Sequence, residues 1–211
     1  ALTILFHLSL FFAIRRRFQL LYCAHASVLL LYALSYSGLI MLAAPLSADA
    51  ISRLICTSMA AATATGLLFS LDFIEGNVLP RWMRRWALVG AGLSILSATL
   101  LLLAPDDLTL VAYIFGNIVG LHALLLIAAV VATGCIRRSR TAWMLAAGWT
   151  VPFTIGMIFP LRFAGLVSSA ILPDGAMVAA CTIECLIVSL PVIERVKRLR
   201  LDHERVRERQ Q

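Results

Sequence analysis

Apolar blocks alternate with short polar connections along this chain, and every second connection is rich in arginine. The blocks cover roughly residues 1–14, 18–42, 51–73, 83–103, 108–135, 141–160 and 172–193. A hydrocarbon core about 30 Å thick takes about 20 helical residues to cross. Backbone polar groups in lipid must also be bonded within their own segment. Blocks of this length and number therefore predict an all-α membrane protein, a seven-transmembrane helix bundle. The hydrophobic fraction of 61% agrees, since a soluble domain is usually nearer half apolar. The first block is the short one: at 1.5 Å per residue it reaches only about 21 Å. That shortness, with the absence of an initiating Met, reads as a chain cut from a longer protein within or just before its first helix. The tail stops at Gln211 in mid-pattern, which reads as a cut at the other end.

The connections set a direction. Arg15, Arg16 and Arg17 fill the first, Arg81, Arg84 and Arg85 the third, Arg137, Arg138 and Arg140 the fifth, and the tail from Arg195 is basic. The second, near Pro45 to Asp49, the fourth, Pro105-Asp106-Asp107, and the sixth, residues 160–174, carry little positive charge. Lys- and Arg-rich connections mark the cytoplasmic side, so the amino end is expected outside and the carboxyl end inside. Arg53 and Arg162 are the two exceptions. The net charge of +7 is thus a membrane-topology signal and not a nucleic-acid surface. Pro105-Asp106-Asp107 reads as a solvated turn whose acids are available to cap the next helix. The sixth connection, which holds Gly165, reads as an amphipathic link or as a surface for a preceding domain.

Polar groups inside spans are costly and often functional. Glu184 is the one acid deep in an apolar block, eleven residues before Arg195, about 16 Å from that edge by helical rise. It reads either as a protonated packing residue or as a switchable, ligand-facing group. Asn117 and His122 lie in the fifth span and His25 in the second. A haem held by His25 and His122 was the less economical reading of two unpaired histidines. Cys23, Cys56, Cys135, Cys181 and Cys185 have no metal spacing and read as small core residues. No metal, no cofactor and no catalytic constellation is expected. A retinal photoreceptor needs a lysine in its last helix, and the single lysine, Lys197, lies beyond it.

Small-residue faces at 60–66, at Gly90 and Gly92, and at Ala142, Ala146, Ala147 and Gly148 predict close helix contacts. Pro152 and Pro191 are candidate hinges. Trp82, Trp86, Trp143 and Trp149 read mostly as interface anchors. Beyond the last span, Val192, Val196, Leu199, His203, Val206 and Gln210 recur at a 4-3 spacing, the seam of a short parallel coiled coil; a basic helix lying on anionic lipid is the plainer reading. The domain division expected is 1–194, a transmembrane sensor and transmission domain, and 195–211, a cytoplasmic linker.

The chain resembles the membrane domain of bacterial seven-transmembrane receptors with diverse intracellular signalling modules. The resemblance is carried by Glu184, Ser189-Leu190, Arg195, Val196 and Leu199-Arg200 in the last helix. It extends to Arg15-Arg16-Arg17-Phe18 with Tyr22, Tyr32 and Gly38, to Phe69 and Phe73, and to Ala142, Gly165 and Leu166. Ser70-Leu71-Asp72 and Pro191 depart from the usual pattern. The resemblance implies a multi-pass protein of the bacterial inner membrane, embedded in the lipid bilayer; the 4-3 seam of the tail points to a homodimer. A periplasmic sensor domain would precede Ala1, and a diguanylate cyclase or histidine kinase output module would follow Gln211. The chain itself is then no enzyme and binds no nucleic acid. A small transporter or channel using Glu184 and His122 on a polar path is the alternative.

Overall fold

The computed structural model describes residues 4–5, 8–9, 11–12, 17–75, 77–163, 165–166, 168 and 176–208, without the side chains of 159–160, 162–163, 177, 191, 195–196 and 198–208. Among these, six long helices stand in order: α1 (Arg17–Tyr36), α2 (Ala48–Phe73), α3 (Arg81–Leu103), α4 (Thr109–Ile136), α5 (Arg140–Phe163) and α6 (Ala176–Glu208). Helices α1 to α5 are each long and apolar enough to cross a membrane. The expected first span, 1–14, falls mostly outside the described residues, as do the Arg15–Arg16 pair, Asp174 and Gln210. The Arg162 side chain lies outside them too.

The helix ends follow local chemistry. Ser47 caps α2 by accepting from the Ala50 N–H at 3.2 Å, and Asp49 stands in its first turn where the helix dipole favours an acid. Helix α1 stops at Tyr36, short of the apolar block's end, because Gly38 takes the left-handed conformation (φ +73°) and turns the chain into a 3-10 helix, Leu39–Leu42. Gly165, also left-handed, follows α5, and the Leu166 N–H returns to the Leu161 carbonyl as in a Schellman motif. Arg138 makes the equivalent turn after α4 at φ 59° with a side chain where glycine is easier. Neither Pro152 nor Pro191 interrupts its helix.

Each helix packs on the next, α2 also meets α4, and α1 meets α6, so the bundle closes. The outer face is the expected lipid surface: Leu96, Leu102, Leu110, Ile118, Leu125 and Leu186 are all exposed. Lipid gives helices no hydrophobic reason to associate, so close approach of small residues carries the packing. A Cβ on Gly134 would sit 2.5 Å from the Ala142 Cβ, which fixes α4 against α5. A Cβ on Gly148 would sit 2.6 Å from Val188 Cγ2, which fixes α5 against α6.

The core is lopsided. Toward the Arg-rich end, Phe18, Phe69, Phe73, Leu145, Val188 and Val192 form one dense cluster, with Phe18–Phe73 ring centroids 5.9 Å and Phe69–Phe73 5.0 Å apart. Toward the other end a small cluster around Leu29, Tyr32, Ala62 and Cys181 leaves open space beside it.

At that end Arg53 has a structural explanation. Its Nε donates to Asp49 Oδ2 at 2.7 Å, and one terminal nitrogen reaches Asp106 Oδ1 and Thr109 Oγ1, both at 2.8 Å. The other terminal nitrogen donates to the Ala104 carbonyl. The fork thus ties α2 to the α3–α4 connection, with its charge met by two carboxylates. Asp106 and Asp107 form a 3-10 turn, and α4 has no side-chain cap. Asp106 therefore serves Arg53 and is no cap, correcting that expectation. Arg53→Ala is expected to lower the melting temperature in detergent by a few degrees, and Arg53→Lys to recover only part of the loss, because a point charge cannot serve four acceptors in a plane. Equal melting of Arg53→Lys and the parent chain would contradict this.

Candidate functional site

Helix α1 presents Tyr22 and His25 to α6, one turn apart on one face. Both are taken up there. The Tyr22 hydroxyl donates to the Cys185 carbonyl at 2.7 Å, and His25 Nε2 lies 2.8 Å from Glu184 Oε1. His25 and Glu184 are each 6% exposed. Glu184 is thus a buried, hydrogen-bonded group whose partner is His25.

The proton arrangement follows from the neighbours. His25 Nδ1 faces the Ala62 carbonyl at 3.1 Å and Thr65 Oγ1 at 3.2 Å. The carbonyl can only accept, and the Thr65 hydroxyl is directed to the Ala61 and Ala62 carbonyls. Nδ1 therefore carries a proton and donates. The Nε2–Oε1 bond then holds one further proton, on either the imidazole or the carboxyl. Both forms are neutral as a pair, which is what makes this pair tolerable in an apolar bundle.

Trp149 from α5 lies beside the imidazole, with ring centroids 6.1 Å apart. Gly66 on α2 makes the room: a Cβ there would be 3.1 Å from the indole and 3.3 Å from the imidazole. Trp149 is buried, unlike the exposed Trp82, Trp86 and Trp143. It belongs to the bundle interior and not to the interface girdle.

These three side chains line one end of a cavity of about 660 Å³. It runs from Glu184, His25 and Trp149 to Tyr36, Asp49 and Tyr113 at the Arg-poor end. Leu29, Met59, Leu121 and Phe153 line its length, as do Cys56 and Cys181. Pro152 and Gly156 are on the wall. So are Ala60, Ala62 and Gly66: the small-residue face expected to pack closely on a neighbouring helix instead opens partly onto a hollow.

Of the fifth-span polar pair, Asn117 lines the cavity, its Nδ2 donating to the Tyr113 carbonyl at 2.9 Å. His122 does not. It is exposed on the outer face, on the same side of α4 as Ile118 and Leu125, at spacings of four and three residues. This corrects His122 as a partner of Glu184 and removes half of the polar path that a transporter reading required. It also separates His122 from His25. Among the described residues there is no group of three potential metal ligands. Val192, expected to open the coiled-coil seam, is 0% exposed inside the bundle's own core. Lower on α6, Glu194 Oε1 pairs with Arg140 at 3.0 Å, so α6 is tied to α5 as well as to α1.

What sequence reading missed were the partners: His25 for Glu184, Tyr22 for the Cys185 carbonyl, and Trp149 as an interior residue. No curated protein and no solved structure matches the chain. The 7TM diverse intracellular signalling family matches it over residues 1–195. With that match spanning nearly the whole multi-pass helical bundle, the chain belongs to this family: it is a membrane signalling domain of the 7TM diverse intracellular signalling type.

Proposed function

We propose that this domain relays an event on the outer side of a bacterial inner membrane to a cytoplasmic output module through displacement of α6. The observation that carries the reading is the continuity of α6. One helix of 33 residues, about 50 Å by helical rise, joins buried Glu184 to Glu208 without a break. A rigid helix transmits translation or rotation from one end to the other. The bonds from His25, Tyr22 and Arg140 are the contacts that such a displacement has to exchange.

In this reading the amino end is outside, as the Arg-rich ends of α1, α3 and α5 require. A periplasmic sensor domain precedes the chain, and a diguanylate cyclase or histidine kinase follows it. Two copies pair through a short seam. Because Val192 is already used within the bundle, the seam begins at Val196 and continues through Leu199, His203 and Val206. A seam with a histidine in it is weak, and weakness suits two states of similar energy. Pro152 and Pro191 are the positions where α5 and α6 lack a backbone bond and bend most cheaply.

Stepwise deletion of one to seven residues between Arg198 and the output module tests the mechanism. Each deletion turns the following helix by about 100°, so output is expected to rise and fall with phase and to recover near a whole number of heptads. Output that ignores phase would reject helix rotation as the signal.

A further inference from the structure

The lining of the cavity restricts what fits. Its volume, about 660 Å³, lies within the range of small-molecule pockets, roughly 300–1,000 Å³. It is long: the wall supplied by α4 extends from Tyr113 to Ile127, roughly 20 Å by helical rise. Leu29, Ile55, Met59, Leu121, Leu124 and Phe153 make the passage apolar. The two carboxyl groups that face it are already matched, Glu184 by His25 and Asp49 by Arg53. An ion entering would meet no counter-charge and would lose its hydration. The occupant is therefore neutral.

Of the buried polar groups without a partner among the described residues, two belong to residues on the cavity wall. Trp149 Nε1, on a side chain 7% exposed, has no acceptor, and the Tyr113 hydroxyl has no partner either. A buried indole N–H normally finds an acceptor. Trp149 stands at one end beside His25, and Tyr113 near the other. Between them, Gly120 offers open wall: a Cβ there would have nothing within 4 Å.

We propose that this cavity binds a neutral, elongated, largely apolar molecule bearing hydroxyl or carbonyl oxygen, with one oxygen seated at the end formed by Trp149, His25 and Glu184. The site touches all six helices at once, so an occupant bears directly on the bond that ties α6 to α1. Only this consequence rests on the signalling reading; binding itself does not.

The chain in phosphatidylcholine nanodiscs is photolabelled with a diazirine-bearing hexadecanol, and labelled residues are located by mass spectrometry. Label is expected at Met59 and Phe153, in addition to the lipid-facing Leu96 and Leu102. Excess 1-hexadecanol is expected to cut the cavity label at least tenfold and leave the lipid-facing label unchanged; hexadecyltrimethylammonium, of the same length but charged, is expected to leave both labels unchanged. Gly120→Phe, which fills the open wall, is expected to remove the cavity label alone. Trp149→Phe is expected to weaken it severalfold. Label confined to Leu96 and Leu102, or cavity label that hexadecanol does not compete, overturns the proposal, as does equal competition by the ammonium compound. The competition arm uses the unaltered chain and so holds even if a variant fails to fold. Labelling reads no output, so a failure of signal relay leaves the binding result intact.

Discussion

Glu184→Ala is expected to destabilise the bundle by about 1–3 kcal/mol, because it leaves His25 Nε2 buried at the centre of the fold without its carboxyl. His25→Ala is expected to cost a similar amount by stranding Glu184. The double substitution should cost clearly less than the sum, with a coupling of about 0.5–3 kcal/mol, since each single change already breaks the same bond. Denaturant unfolding of the four chains in detergent measures this cycle. Strict additivity would mean that the 2.8 Å approach contributes nothing beyond each residue's own packing. Glu184→Gln separates geometry from charge. Its amide can still donate to Nε2, so stability is expected to fall by well under the alanine value. If the shared proton matters to relay, Glu184→Gln is the variant that keeps the fold and loses the response in a receptor carrying its output module. A normal response from Glu184→Gln would reduce the pair to a structural tie.

The second large effect is expected where α5 meets α6. A Cβ at position 148 would lie 2.6 Å from Val188 Cγ2, and Val188 is 1% exposed. Valine is stiff at χ1 and has little room to swing aside. Gly148→Val should therefore cost about 1–3 kcal/mol through overpacking, and Gly148→Ala less. Val188→Ala in the same chain should recover much of the Gly148→Ala loss, because it removes the methyl group that is struck. Absence of rescue would show that the helices are not held at this distance. Both predictions concern α6: the first removes a bond that holds it to α1, the second pushes it off α5. If α6 carries the signal, these variants should change basal output as well as stability, whereas Arg53→Ala, at the far end of the bundle, should change stability alone.

The sequence by itself determined the all-helical membrane class and the places of the five helices α1 to α5 that are long and apolar enough to cross a membrane. Arginine clusters such as Arg81, Arg84 and Arg85 bound the helices because a charge in hydrocarbon is expensive, and the helix ends fall within a few residues of them. The same cost marked Glu184 as special. The left-handed turn at Gly38 was not read from the sequence: the apolar block continues to Leu42, whereas the helix ends at Tyr36. Only the tertiary structure decided which polar residues meet. His25 and His122 are alike in sequence: each is a lone histidine in an apolar span. One is buried against Glu184, 159 residues away, and the other faces outward. In a soluble helix the pattern of apolar residues would have told the inner face from the outer. In lipid both faces are apolar, as Ile118 outside and Leu121 at the cavity illustrate, so the pattern is silent. Arg53 looked like an exception to the charge rule until Asp49 and Asp106 were seen to enclose it. The cavity was invisible for the same reason. Small residues at 60–66 permit either tight packing or a hollow, and which one forms depends on what the neighbouring helices bring to that face.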